Sequence, residues 1–408
     1  MVNGGSMTIR RASIVDPDAE SVTDNMRIRM EDGIIVEVSP DPGGPISSAE
    51  TDAAGLYAVP GLIDCHVHVI ACTADEHALT MEAPSYVTAH AAVELRAMLA
   101  RGFTTARDMA GADYGLARAV AEGLLPGPRL FAGGKALSQT GGHGDLRLPG
   151  QNLHDEHYWT PGLGRVADGV TEVRRAVRDE IRRGADHIKL MLSGGCSSLT
   201  DRIGSLQYSE EEIRAAVEEA GAADVYCAAH AYTTAAVQRA LRFGVRTIEH
   251  GNLIDEPVLP LFQENDAFLV PTLIAYTALA DAGLEHGLAP ESHAKVFEVL
   301  DGGLRALELA DRAGVAIAFG TDLLGPLRVR QPEEFRIRAQ VQSPAAVLRS
   351  VTTTAARLLG RAGLLGTIAP EAYGDVILTR HNPLDDVTAL AEPAKEIAHV
   401  VQAGVIAR

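Results

Sequence analysis

The sequence predicts an α/β chain whose main body is a (β/α)8 TIM barrel, joined to a small β-sandwich domain built from both chain ends. Three observations carry that prediction. Across residues 59–365, apolar strand-like runs alternate with helix-like runs about eight times, the pattern of a parallel sheet with crossover helices. Outside that stretch, residues 7–58 and 366–408 read as short strands broken by turn residues, too few at either end to bury a core alone. Residue types that ligate metals recur at the ends of the barrel runs, where side chains of such a fold converge on one mouth.

The elements follow in chain order. Residues 1–6 precede a second methionine, Met7, and are set aside. Strand-like runs at 8–15, 27–30 and 33–38 are punctuated by Asp16-Pro17-Asp18 and by the Pro/Gly tract at 40–45. The far C-terminus supplies partners for them, a strand at 374–379 and a hairpin at 396–406 turning at Gln402-Ala403-Gly404. The barrel opens with the run 60–69. Strand-like runs then follow helix-like ones: 102–108 after 91–101, 128–132 after 114–122, and 187–191 after 171–183. The series continues with 225–230 after 210–222 and 245–250 after 233–243, then with runs at 268–272 and 315–320. A doubly wound open sheet is the alternative, but no Gly-x-Gly-x-x-Gly follows the first run. The stretch from Ser138 to about Gly164, with His143, His154, His157 and the single Trp159, lacks periodicity and reads as a long loop over the site.

Composition bounds the partners. With 36 basic and 54 acidic residues the formal charge is −18, which argues against nucleic acid or an anionic membrane surface but not against a small-molecule substrate. No uncharged apolar run of ~18 residues occurs. No secretory leader pattern is read at the start, and four cysteines without a Cys-x-x-Cys pair make no disulfide framework in 408 residues. A reducing cytoplasm is the expected compartment, with Cys65 and Cys227 as small buried apolar residues.

The chemistry starts at Asp64-Cys65-His66-Val67-His68. In a strand, residues i and i+2 face the same side, so His66 and His68 project together where the strand ends. Two adjacent imidazoles suit a divalent metal better than a core. Further candidates stand at other strand ends: Lys189, His230, His250, and Asp322 in Gly320-Thr321-Asp322. Each has a plain alternative, whether a hydrogen-bonded core histidine, a helix-capping aspartate or a lysine with its stem buried and its head in water. Their joint placement at five strand ends favours a metal centre. An ammonium at Lys189 would be repelled by divalent cations, so its amine is expected to be neutral. A neutral amine can take up CO2 as a carbamate, an anionic oxygen donor able to bridge two metals. Imidazoles with such oxygens suit Zn2+, with Mn2+, Fe2+ or Co2+ as substitutes.

With these pieces in view, the chain resembles the amidohydrolase superfamily in its binuclear, carboxylated-lysine form. Within it, the chain is most similar to the prolidase-like and Xaa-Arg-like dipeptidases and the ochratoxin-hydrolysing amidases. The likeness rests on Pro60–His68, the loop Gln139-Thr140-Gly141-Gly142-His143-Gly144, and His187-Ile188-Lys189-Leu190-Met191-Leu192-Ser193-Gly194-Gly195. It continues through His230-Ala231-Tyr232-Thr233, Thr247-Ile248-Glu249-His250-Gly251-Asn252, Phe319-Gly320-Thr321-Asp322 and the late Asn382-Pro383-Leu384. The resemblance implies that His66, His68 and Asp322 hold one metal and His230 and His250 the other. Carbamylated Lys189 and a hydroxide would bridge the two ions, roughly 3.5–4 Å apart. It implies Asp322 as general base and acid, Tyr232 as the group that polarises the carbonyl or anchors substrate, and His143 as a substrate contact. Core packing is the alternative for Tyr232 and a loop hydrogen bond for His143. Cys196, where relatives carry a small or branched apolar residue, is expected to line the pocket. Arg328 and Arg330 are read as reaching a substrate carboxylate or as surface loop charges. The resemblance further implies a homo-oligomer.

The function expected is metal-dependent hydrolysis of a peptide or N-acyl amino acid amide. The alternatives are a hydrolase of neutral aryl amides or carbamates, and a mononuclear deaminase or cyclic-amide hydrolase, which does not need the bridging lysine. A silent structural homologue would have lost ligands, and here every one is present.

Overall fold

Eight parallel strands pair side by side and close on themselves in the computed structural model, which describes residues 5–148, 151 and 161–408. The first three barrel strands are Leu62–Val67, Phe103–Asp108 and Arg129–Ala132, hydrogen-bonded in that order. The other five are His187–Met191, Tyr226–Thr233, Thr247–Leu253, Phe268–Val270 and Ala316–Ile317. The Asp186 N–H donates to the Ala132 carbonyl at 2.8 Å and links the third strand to the fourth. The ring closes where the Cys65 N–H donates to the Phe319 carbonyl at 2.8 Å. The apolar runs read from the sequence as barrel strands are these eight, and the strands of the first three and last five are buried almost throughout. A parallel strand covered on both faces has no room for polar alternation, which is why those runs read as continuous apolar stretches.

The third strand departs from the expectation. It breaks at Gly133-Gly134, resumes as Ala136–Ser138, and there pairs with the fourth strand and with an added strand, Gly164–Val166. A Cβ at Gly133 would lie 2.7 Å from His187 Nε2, and one at Gly134, whose φ is +68°, would lie 2.3 Å from Glu180 Oε2. Two glycines therefore permit a jog that a side chain would forbid. Strands of three residues carry too little pattern to be read from sequence, so what was expected to be loop from Ser138 onward begins one residue later and ends in a strand at Gly164.

Helices fall where the periodicity puts them. Glu210–Gly221 opens on a capping box of Ser209 and Glu212, and the side chains of Asp113 and Thr233 cap the helices Tyr114–Ala121 and Thr234–Arg242. The helix after the first strand starts earlier than read, at Pro84, which occupies its first turn without losing a hydrogen bond.

The β-sandwich strands of both chain ends are hydrogen-bonded into one mixed sheet, in which Val376–Thr379 lies antiparallel to Tyr57–Pro60. Its core holds Ile9, Ile28, Met30, Ile35, Val376, Leu378 and Val401. The sheet ties to the start of the barrel strands. Gln402 Nε2 donates to the carbonyls of Thr104 and Gly127 at 3.0 and 3.1 Å, and the Gly61 N–H donates to Asp375 O at 2.9 Å. The C-terminal ends of the strands are thereby left for the site. No helix among the described residues is long and apolar enough to cross a membrane, and all four cysteines are free thiols.

Candidate metal centre

His66, His68, Lys189, His230, Tyr232, His250 and Asp322 line one cavity at the C-terminal strand ends, together with His143 and Cys196. All six candidate metal ligands read from the sequence, with Tyr232, His143 and Cys196, are brought there. His66 and His68 arrive by strand alternation. His250 and Asp322 do not: both adopt left-handed backbone, φ +77° and +53°, as does Thr272 at +46°. Such backbone is costly for residues other than glycine and concentrates at functional sites. Its effect here is specific, because the turn at His250 lets consecutive residues, Glu249 and His250, both reach the barrel interior.

The imidazoles are held by their far nitrogens. His66 Nδ1 lies 2.8 Å from Glu249 Oε2, His68 Nδ1 2.8 Å from the Ala110 carbonyl, and His230 Nε2 3.0 Å from the Gly194 carbonyl. His250 Nδ1 is 2.8 Å from Thr272 Oγ1. A nitrogen facing an acceptor carries the proton, so His66 and His68 present Nε2 and His230 presents Nδ1 to the cavity. His66 Nε2 and His68 Nε2 both approach Asp322 Oδ1, at 3.2 and 3.1 Å. With neutral rings, three lone pairs would point at one another, an arrangement that a cation between them satisfies. The ligand atoms of this trio all lie within 4.8 Å of one another, a set that fits a divalent ion.

Electrostatics agree with that donor set. Burial drives His230 and His250 far below the usual histidine pKa, which keeps them as neutral imidazoles, the form that can ligate a metal. Burial opposes ionisation of Asp322 as well, but the charge and hydrogen bonds of His66 and His68 hold its carboxyl well below the usual range. Burial would lower His68, yet its hydrogen bond to Asp322 raises it. Lys189, 2% exposed, is pushed down to about 8 by desolvation. Its uncharged form is thus accessible near neutral pH, as the sequence reading requires.

Beneath the histidines lies an ion pair that the sequence reading passed over. Arg107 and Glu249 are both fully buried, with Arg107 Nη2 2.9 Å from Glu249 Oε1. Arg107 Nε donates to the Cys65 carbonyl at 2.6 Å, and Thr247 Oγ1 donates to Glu249 Oε1 at 2.6 Å. Glu249 therefore joins the Arg107 cation to the His66 ring and fixes its orientation. The signal was available in sequence, because a carboxylate inside an apolar strand must have a partner. Replacing Arg107 with methionine strands that carboxylate, and we expect a loss of about 3–5 kcal/mol in denaturant unfolding. A change below about 1 kcal/mol would show that the pair is not holding the barrel floor.

The loop after the fourth strand shapes the rim. His143 Nδ1 is 3.0 Å from Ser198 Oγ, Ser198 donates in turn to Asp201, and Lys295 Nζ donates to the carbonyls of Gly195 and Ser198 at 2.7 and 2.6 Å. A Cβ at Gly195 would lie 2.0 Å from the His143 ring, so glycine there admits His143. The glycines beside His143 also serve packing: a Cβ at Gly142 would meet Gln207 Oε1 and Ser138 Oγ at 2.6 Å. Tyr232 is buried, and its hydroxyl lies 3.4 Å from Cys196 Sγ and receives a hydrogen bond from the Tyr276 hydroxyl at 3.3 Å. Tyr276 sits on the helix Leu273–Ala282 and left no mark in the sequence pattern. A donor into the Tyr232 oxygen makes Tyr232 a stronger donor itself. Tyr276→Phe is accordingly expected to lower kcat about fivefold to tenfold with little change in KM. In a Tyr232→Phe background the same change should cost nothing; an equal loss there would sever the link.

Two residues named from sequence lie elsewhere. Arg328 is largely buried, donating to the carbonyls of Val69 at 2.8 Å and Gly325 at 3.0 Å, so it braces the loop after the first strand. Arg330 pairs with Asp281 and Glu333. Neither lines the cavity. His154, His157 and Trp159 lie outside the described residues.

A closed parallel barrel that gathers histidines, a lysine and an aspartate at its strand ends is a frame for divalent-metal hydrolysis. The profile of the amidohydrolase family matches residues 57–407. The chain belongs to the amidohydrolase family and is a hydrolase of amide bonds. It is 33% identical to an ochratoxinase of Aspergillus niger over 417 aligned residues, covering 98% of this chain and 86% of that protein. The crystal structure of a prolidase complexed with N-methylphosphonate-L-proline superposes with a TM-score of 0.96 at 44% identity, covering 98% of this chain and 99% of that one. The crystal structure of the A. niger ochratoxinase gives 0.86 at 30% identity, covering 99% and 96%. A Xaa-Pro dipeptidase with bound methionine gives 0.84 at 26% identity, covering 98% and 99%.

Proposed function

We propose that this chain hydrolyses the amide bond of a dipeptide or N-acyl amino acid at a binuclear divalent-metal centre, with zinc as the metal. His66, His68 and Asp322 would hold one ion and His230 and His250 the other, with Lys189 as its carbamate between them. The observation that carries the reading is the convergence of His66 Nε2 and His68 Nε2 on Asp322 Oδ1, in the same cavity as the buried Lys189. When bound, the metals supply the Lewis acidity that activates a water nucleophile and polarises the scissile carbonyl. Asp322, ionised and partly open to the cavity, takes the proton from the attacking water and delivers it to the leaving amine. The Tyr232 hydroxyl donates to the carbonyl oxygen as charge develops there. His143 donates its Nδ1–H to Ser198, whose own hydroxyl proton goes to Asp201, so its other ring nitrogen donates to the carboxylate of the leaving group with the ring as an imidazolium. The relatives named as prolidase, Xaa-Pro dipeptidase and ochratoxinase support an amide beside a free carboxylate. The free thiols fit a reducing cytoplasm, and a homo-oligomer belongs to the same reading.

The test is a mass-spectrometric hydrolysis screen of zinc-loaded protein against dipeptides, N-acyl amino acids, aryl amides of the ochratoxin kind and carbamates. Turnover confined to compounds with a free carboxylate is expected. Turnover of neutral amides or carbamates alone would remove the carboxylate-recognition role from His143 and with it the dipeptidase-like reading.

A further inference from the structure

One charged wall residue of the cavity has no part in the chemistry above. Glu76 opens the short helix Glu76–Thr80, which follows the first barrel strand, and it lines the same cavity as His66, His143 and Asp322. The helix does not need its carboxylate, because Asp75 already caps it by accepting the Ala78 N–H at 2.9 Å. Among the described residues no hydrogen bond or ion pair engages the Glu76 side chain, whereas those of Glu94, Glu180 and Glu219 are each matched to an arginine. Among the described residues no arginine lines the cavity, and Lys189 belongs to its floor with the candidate metal ligands. The rest of that wall is apolar or weakly polar, with Leu163, Met191, Cys196, Ser197, Leu279 and Leu324 among its residues. A carboxylate without a counter-charge, among the apolar and weakly polar residues of one wall, sets the orientation of a ligand that brings the opposite charge.

We propose that Glu76 receives the α-ammonium group of a dipeptide's N-terminal residue, so that free dipeptides are preferred over N-acyl amino acids. The assignment rests on the amide-hydrolase reading and deepens it. His143 and Glu76 then match the two charges of a zwitterion across the scissile bond, carboxylate at one and ammonium at the other. A charge-assisted hydrogen bond of this kind is worth about tenfold or more in kcat/KM.

The experiment compares one dipeptide with its des-amino analogue, in which hydrogen replaces the ammonium group. Wild type should favour the dipeptide by about tenfold or more, and Glu76→Gln should bring the ratio close to one, whatever the absolute rates. Glu76→Asp, which keeps the charge, should retain part of the preference and guards against misfolding of the first variant. A ratio near one in wild type, or a preference that survives Glu76→Gln, overturns the assignment. Calorimetric binding of the phosphinic isosteres of both compounds separates the two readings. Amine-dependent binding that Glu76→Gln abolishes, without hydrolysis of either compound, leaves Glu76 in its role and removes the hydrolase proposal. Binding that ignores the amine removes Glu76.

Discussion

Asp322→Asn is expected to lower kcat for amide hydrolysis by about a thousandfold or more without unfolding the protein. Asparagine keeps the shape of the side chain but surrenders its charge and its basicity. Asp322 Oδ1 is the atom shared by His66 Nε2 and His68 Nε2, and Oδ2 stands 3.8 Å from His250 Nδ1. An amide there would turn a donor or a weak acceptor toward two imidazole lone pairs. It could neither take a proton from water nor return one to an amine. The measurement is kcat and KM on the preferred substrate, with thermal unfolding and metal content recorded alongside. Activity within about tenfold of wild type would exclude Asp322 as the proton carrier.

Lys189→Ala should cost as much, by another route. The Lys189 amine sits inside the barrel, and desolvation pushes its pKa down to about 8. In the proposed role the ammonium first gives up a proton, and the neutral nitrogen then bonds to CO2 and releases a second, so that a cation becomes an anionic oxygen donor. Alanine removes that donor. Metal content measured by mass spectrometry should fall from about two ions per chain to one or fewer, and kcat/KM by about a thousandfold. Lys189→Arg separates this from a simple need for positive charge. The guanidinium fills similar space but stays protonated and cannot take up CO2. It should therefore fail as alanine does. An arginine variant with wild-type metal content and turnover would refute the carbamate.

The parts of the centre legible in sequence are those whose signal is local. His66 and His68 announce themselves by strand alternation, His230 and His250 by closing apolar runs of the expected length, and Lys189 as a cation within such a run. The parts that stayed hidden depend on contacts between distant elements. Glu249 is visible only as one acid in a strand, and its meaning comes from Arg107, which lies 142 residues earlier in the chain. Tyr276 looks like any helical core aromatic until its hydroxyl is seen against that of Tyr232, 44 residues away. Lys295, on a late helix, holds the loop that carries Ser198, and no periodicity links the two.

From its sequence alone this protein is determined to be a barrel closed by strands and helices in alternation, with a β domain drawn from both ends and residue types that can ligate a metal at one mouth. Burial pattern and element length enforce those features residue by residue, so they survive reading in one dimension. Tertiary structure alone decided how those side chains are aimed. The left-handed backbone of His250 and Asp322, the Gly133-Gly134 break in the third strand, and the Arg107–Glu249 pair under His66 each answer to neighbours brought together by closure of the barrel. Hydrogen bonds and ion pairs are directional and reach only a few ångströms, so their partners are set by where the chain returns in space.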